Sequence, residues 1–442
     1  MTEPAPTSRW PAPVRALARR DFQIYFVGQG VSTLGKWVQQ VALSWLAYHI
    51  TASATLLGVI TFLSLAPQLL VGPVAGAWID RRDKRRCLIV AQSLLALQSL
   101  VLALLTWQGW VNANVLIGMA LLLGLLNAVE TPLRQALIGS FVGDTADLPN
   151  ALALNAMLIN AARFLGPPLA GALIAASGEA VCFLITAVAF ALLLLGLAKV
   201  QGSASAKATG STAQMFREGL AYVWQTVSVR RLMLGVIMVN LLASNYTVLL
   251  PVLAKTLYQG DARMLGWLWG AAGAGAFVAT IALALGGALH RLERIITCAA
   301  LGCALALILL AFQVPLPMAL ASLALLGCGI TASNVSTNML LQSGAPEHLR
   351  GRVVALYIAM RFGFEAVGGL LAGLLASLVG APMTLGAAGL VLVSFLVLEN
   401  RFSNSEIETA LHKLPGRHLA NPSFFAKSLY LKKRLTSAFA CG

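Results

Sequence analysis

The sequence predicts an all-α membrane protein in which twelve transmembrane helices form two pseudo-symmetric six-helix bundles. Three observations lead there. Of the 442 residues, 58% are hydrophobic and only 11% are charged. Soluble domains carry about a quarter charged residues, and a surface so poor in charge would not stay in water. Charge is also missing in long blocks: no Asp, Glu, Lys or Arg occurs between Trp37 and Ile79, between Cys87 and Val129, or between Ile295 and Pro346. Each block accommodates two crossings of roughly 20 residues joined by an uncharged turn. Finally, two stretches recur in order. Gly76–Lys84 (GAWIDRRDK) parallels Gly286–Arg294 (GGALHRLER), and Arg163–Gly171 (RFLGPPLAG) parallels Glu365–Gly373 (EAVGGLLAG). Two matches at nearly the same spacing point to a duplicated unit, and paired repeats around a midplane site are a transporter architecture.

Apolar runs place the first six spans near residues 22–48, 53–79, 87–106, 112–131, 148–176 and 180–198. The second six fall near 231–257, 264–289, 295–312, 315–341, 350–379 and 381–398. Basic residues then collect on one side. Arg15, Arg19 and Arg20 precede the first span, Arg81–Arg86 follow the second, Arg217, Arg230 and Arg231 precede the seventh, and Arg291, Arg294, Arg350 and Arg352 flank later spans. The opposite loops, such as Trp107–Asn114 and Gln313–Pro317, lack Lys and Arg. By the positive-inside rule both termini are cytoplasmic. The Ser/Ala/Thr/Gly-rich stretch from Gln201 to Gln214 reads as a flexible linker. The expected organisation is a cytoplasmic segment 1–21, a bundle 22–200, a linker 201–229, a second bundle 230–399 and a basic tail 400–442. The first twenty residues lack the short apolar core of a cleaved signal peptide, so the first span serves as the insertion signal.

Several function classes are excluded. The net charge of +15 raises the question of nucleic acid, but the basic residues lie in loops between apolar runs, where topology accounts for them. Cys87, Cys182, Cys298, Cys303, Cys328 and Cys441 are scattered without a CxxC pair, so neither a disulfide framework nor a zinc site is expected. The five histidines, His49, His290, His348, His412 and His418, lie at span ends, in loops or in the tail, and offer no intramembrane metal or catalytic cluster. No enzyme activity, cofactor or metal is expected. Gly30–Trp37 nearly spells a phosphate loop, but it lacks the final Ser/Thr and sits inside an apolar helix. Transport is therefore driven by an ion or substrate gradient.

The loop Gly76-x3-Asp80-Arg81-Arg82-Asp83-Lys84-Arg85-Arg86 resembles the signature loop of the major facilitator superfamily, with Asp83 in place of its usual second glycine. That variant, Ser32–Gly35 in the first span, Arg163–Gly171 in the fifth, and Gln342-x3-Pro346-Glu347-x-Leu-Arg350-Gly351-Arg352 before the eleventh resemble its drug-and-siderophore exporter branch, which includes macrolide-efflux relatives. The resemblance runs from about Asp21 to Glu399. It implies the major facilitator fold, residence in a bacterial cytoplasmic membrane, and a monomeric exporter exchanging a small molecule for protons. It also implies a conformational latch of Gly76, Asp80, Arg81 and Arg85 between the lobes, and a bend at Gly166-Pro167-Pro168.

Ionisable groups at membrane depth mark function or tight pairing. Lys36 lies in the first span, Arg163 in the fifth, Glu130 and Arg134 on one face of the fourth, and Arg361 and Glu365 on one face of the eleventh. Glu130 and Glu365 are the candidate proton-coupling acids. Many relatives carry an acid where Lys36 stands, and commonly proline or another uncharged residue where Glu365 stands. That leaves Lys36, Arg163 and Arg361 as cavity cations, with Asn240 and Asn334 as polar cavity groups. Lys36 needs a partner, which could be Glu130 of the fourth span, water or a cargo carboxylate; a first-span position near mid-membrane favours the cargo carboxylate. The preferred cargo is a small anion such as a carboxylate siderophore; the alternative is a multidrug or macrolide efflux pump.

Overall fold

The computed structural model describes residues 12–71, 82–142, 147–199, 212–286 and 291–412. The described chain is helical. After a 3₁₀ turn at Ala12–Ala18 come α1 (Arg20–Thr51), α2 (Ala54–Leu70), α3 (Lys84–Trp107) and α4 (Ala113–Val142). Two of their starts are capped by side chains: Ser53 accepts from the Leu56 amide, and Asp83 from the Arg85 and Arg86 amides, satisfying donors that a helix start leaves open. The stretch Leu148–Lys199 is broken at Gly178, whose φ of 79° suits a residue without Cβ. It therefore forms two helices, α5 (148–177) and α6 (179–199).

The expected linker is partly structured: α7 (Thr212–Gln225) is a short amphipathic helix. Its Val223 is buried and its Trp224 is exposed. Glu218 pairs with Arg352, and Tyr222 donates to the Gly344 carbonyl, so α7 is tied to the second half of the chain. Next comes α8 (Val227–Leu257), which is irregular. Residues Val239–Ala243 and Leu253–Leu257 are π turns, and Tyr246–Val252 between them contains Pro251. The remaining helices are α9 (Ala262–Gly286), α10 (Leu292–Ala311), α11 (Leu316–Gly344), α12 (Glu347–Val379) and α13 (Ala381–His412). The last runs beyond the boundary near 399 expected for the final span.

Among the described residues, nine helices are long and apolar enough to cross a membrane, counting Asn150–Ala198 once. The first helix has the length but carries Gln29, Lys36, Gln39 and Gln40 and is not among them. Leucines such as Leu97, Leu104, Leu195 and Leu390 point outward, which suits lipid rather than water.

Helices α1 to α6 pack mainly on one another, as do α8 to α13, and the two sets meet along two seams, α2 with α12 and α5 with α9. Small residues let these backbones approach, as in membrane helix pairs generally. A Cβ at Gly373 would lie 2.6 Å from the Ala54 carbonyl oxygen, and one at Gly171 2.5 Å from that of Ala262. Both close approaches lie near the end of the molecule away from the basic loops. Polar side chains tie neighbouring helices within a set: Gln39 donates to Gln98 at 2.9 Å and Thr186 to the Gly35 carbonyl at 2.9 Å. Interhelical bonds of this kind contribute about 0.6 kcal/mol each.

Candidate functional site

Between the two sets lies a cavity of about 1020 Å³, lined by α1, α2, α4, α5, α8, α9, α11 and α12. Near the basic loops its wall includes Gln135, Gly351 and Arg352; towards the other end it passes Trp37, Tyr246 and Trp269 and reaches Leu43, Ser44 and Leu57. Lys36, Arg134, Arg163, Arg352 and Arg361 line the cavity together with the carboxylate of Glu365.

The charges fall into two groups. In the first, Glu130 is fully buried. Lys36 Nζ donates to its Oε2 at 2.8 Å and Gln92 Nε2 to its Oε1 at 2.9 Å, while Arg134 Nε stands 3.4 Å from Oε1. Lys36 also lies 5.9 Å from the Phe190 ring centroid. Its side chain keeps 23% exposure to the cavity. This corrects the expectation that Lys36 awaits a cargo carboxylate, because Glu130 already answers it across α1 and α4. A lysine left without a partner at this depth would be costly by several kcal/mol. Gln92, one of the polar residues scattered through the third apolar run, is a member of the site that sequence reasoning missed.

The second group is looser. Arg361 and Glu365 share a face of α12, yet no carboxylate lies within 4 Å of Arg361 or Arg163 among the described residues. Sharing a face does not bring Arg361 and Glu365 into an ion pair. Arg361 instead lies 4.9 Å from the Phe362 ring centroid, and its Nε is buried without a hydrogen-bond partner. Arg163 lies 5.7 Å from the Trp37 ring centroid and interacts with the Tyr246 hydroxyl. Both guanidiniums act electrostatically on Glu365.

The asparagines divide. Asn240 Nδ2 donates to Asn334 Oδ1 at 3.0 Å and to the Val236 carbonyl at 2.8 Å, and Asn334 Nδ2 returns a bond at 3.3 Å. Asn240 is fully buried and does not line the cavity, whereas Asn334 does. Asn240 therefore joins α8 to α11 instead of facing cargo, a correction whose cause is the reciprocal amide pair. Of the expected latch, Gly76, Asp80 and Arg81 lie outside the described residues. Arg85 is described, and its guanidinium donates to the carbonyls of Leu197 at 2.9 and 3.1 Å and of Ala198 at 2.9 Å. It caps the end of α6, where a cation meets unpaired carbonyls. That contact is within one half, so Arg85 does not bridge the lobes here. Among the described residues no group of three or more His, Cys, Asp or Glu could hold a metal ion.

Comparison with known proteins bears on this arrangement. A sequence model described as "Transmembrane secretion effector" matches residues 10–427. The chain is 28% identical over 261 residues to the staphyloferrin A transporter of Staphylococcus aureus (strain NCTC 8325 / PS 47), covering 59% of this chain and 66% of that one. It is 29% identical over 378 residues to the multidrug efflux pump Tap of Mycobacterium tuberculosis (strain ATCC 25618 / H37Rv), covering 82% and 88%. Among solved structures, a POT family transporter in complex with 5-aminolevulinic acid superposes with a TM-score of 0.68 at 12% identity, covering 88% and 96%.

Proposed function

Because the chain belongs to the transmembrane secretion effector family of the major facilitator superfamily, we propose that it exports a small anionic metabolite, such as a carboxylate siderophore, in exchange for protons. In this reading it crosses a bacterial cytoplasmic membrane twelve times as two six-helix bundles and works as a monomer. The basic end, both termini and the 201–229 linker face the cytoplasm, from the Lys/Arg asymmetry, and the cavity then opens inward.

The observation that carries the cargo is the charge of the cavity. Lys36 and Arg134 are balanced in part by Glu130, but among the described residues Arg163 and Arg361 have no carboxylate within 4 Å, and Glu365 is the carboxylate near them. Anionic cargo would supply what a desolvated guanidinium lacks. Arg163 and Arg361 are therefore the proposed cargo-binding cations, with Asn334 as a polar neighbour and Lys36 as support held by Glu130. Glu365, facing the cavity, and Glu130, behind Lys36, are the proposed coupling acids. Gly76, Asp80 and Arg81 remain the proposed latch. The similarity to a siderophore transporter supports this reading.

The pairing of Lys36 with Glu130 favours a second reading, a multidrug pump, since it removes one cation from the cargo's reach; the longer match to Tap supports it. Everted membrane vesicles separate the two. With citrate and ethidium as probes, Arg163→Gln and Arg361→Gln should each reduce citrate accumulation roughly tenfold, the value of one charge-assisted hydrogen bond, and spare ethidium. Loss of ethidium transport with intact citrate transport would put the drug pump first.

A further inference from the structure

On the cavity wall four residues from four helices gather: Trp37 of α1, Arg163 of α5, Tyr246 of α8 and Trp269 of α9. Trp37 is the centre of the group. It meets the Trp269 ring edge-on with centroids 5.8 Å apart, and the Arg163 guanidinium lies over its face. Glycines make this possible: a Cβ at Gly166 would lie 2.5 Å from Trp37 Cβ, and one at Gly273 2.5 Å from the Arg163 carbonyl oxygen. The side chains are therefore fixed by backbone approach.

Trp269 is only 5% exposed, and its indole Nε1–H has no hydrogen-bond partner. Buried donors are almost always paired, and leaving one unmade costs about 1–3 kcal/mol. Trp269 lines the cavity beside the cluster that holds a guanidinium, but its Nε1 atom is itself covered, so a partner reaches the donor only when the side chain or its cover moves. An indole N–H donates and cannot accept, so whatever completes it must bring lone pairs, and the guanidinium asks that they belong to an anion.

We propose that Trp269 Nε1–H and the Arg163 guanidinium form a seat for one carboxylate of the cargo, covered by the Trp37 ring. The proposal rests on the anionic-cargo reading and goes further by fixing where the charged group sits. It also ties cargo to conformation. Trp37 and Arg163 come from the first set of helices and Trp269 from the second, so a carboxylate in the seat adds a bridge between the two sets to the contacts of the seams.

The test uses the full-length protein in lipid nanodiscs, titrated with citrate and with its neutral triethyl ester. The wild type should bind citrate and hold the ester far more weakly. Trp269→Phe keeps a ring but loses the N–H, and should weaken citrate roughly tenfold with the ester unchanged. In the wild type, one of the indole N–H resonances from the nine tryptophans should shift with citrate and stay still with the ester. This second reading needs no substitution, so misfolding of Trp269→Phe does not remove the test. If Trp269→Phe binds citrate as the wild type does and no indole resonance moves, the donor meets water alone and the seat is overturned. Should Arg163→Gln and Arg361→Gln still weaken citrate in that case, the anionic-cargo reading survives the loss of the seat. Equal affinity of the wild type for citrate and ester would overturn both.

Discussion

Glu130 gathers partners from three helices: Lys36 on α1 and Gln92 on α3 donate to it, and Arg134 on its own α4 forms an ion pair with it at 3.4 Å. Removing its charge strands two cations, whereas removing Lys36 as well strands only Arg134. Breaking one side of a buried pair costs about 3–5 kcal/mol. Glu130→Gln should therefore lower the melting temperature in detergent sharply, and Lys36→Met combined with Glu130→Gln should recover part of the loss. A double mutant no more stable than Glu130→Gln alone would mean that the two side chains are not coupled. Glu365 is different, since it faces the cavity without a salt-bridge partner within 4 Å among the described residues. Glu365→Gln should abolish uphill efflux driven by a proton gradient and leave downhill exchange of cargo, because a neutral amide cannot alternate between protonation states. Uphill transport at the wild-type rate would remove Glu365 from the coupling step. The charged members of the site could be read in the sequence because each interrupts an apolar run. Their partners could not. Lys36 and Glu130 are 94 residues apart, and which carboxylate meets which cation depends on how α1, α3 and α4 rotate as they pack.

At the level of elements, the seams between the two sets of helices are the parts that must separate if the cavity is ever to open at the end away from the basic loops. The α2–α12 seam has no room for a side chain at Gly58 or Gly373, where a Cβ would lie 2.9 and 2.6 Å from the facing carbonyl oxygens of Gly369 and Ala54. Gly373→Leu should wedge it apart and shift the population towards the state open at that end. Spin labels at Ala52 and Val379, at the seam's outer edge, would report longer distances than in the otherwise unchanged protein; an unaltered distribution would show that the seam tolerates the bulk. Gly373 belongs to one of the duplicated stretches, which signal duplication and not this crossing. Helix α7 was missed because Ser, Ala, Thr and Gly dominate the stretch before it, although Met215, Phe216, Leu220, Val223 and Trp224 follow the spacing of an amphipathic helix. The irregular α8 was missed for another reason: its π turns around Asn240 and Lys255 leave no mark in an apolar pattern, and only Pro251 hinted at them.

For the whole molecule, the bias of Lys and Arg towards one end makes a topology that labelling can check. With single cysteines at Ser205 and Asn112, an impermeant maleimide applied to intact cells should label position 112 and miss position 205 until the membrane is opened. Labelling of position 205 from outside would invert the molecule. The architecture at this scale was the most legible of all, because charge-free runs and an internal repeat survive any detail of packing. The surplus of cations over carboxylates around the cavity has a further consequence, which is electrical. A site that alternates between two sides of an energised membrane carries its fixed charge through part of the voltage drop. Loaded with a dianion, the site is close to neutral and its turn outward is nearly indifferent to voltage. Relieved of cargo and carrying a proton on Glu365, it would return with positive charge towards a negative interior, a step favoured by up to about 2.3 kcal/mol per charge for each 100 mV. The membrane potential would then add to the proton gradient in resetting the carrier, so that each cycle leaves one cargo anion outside and draws current.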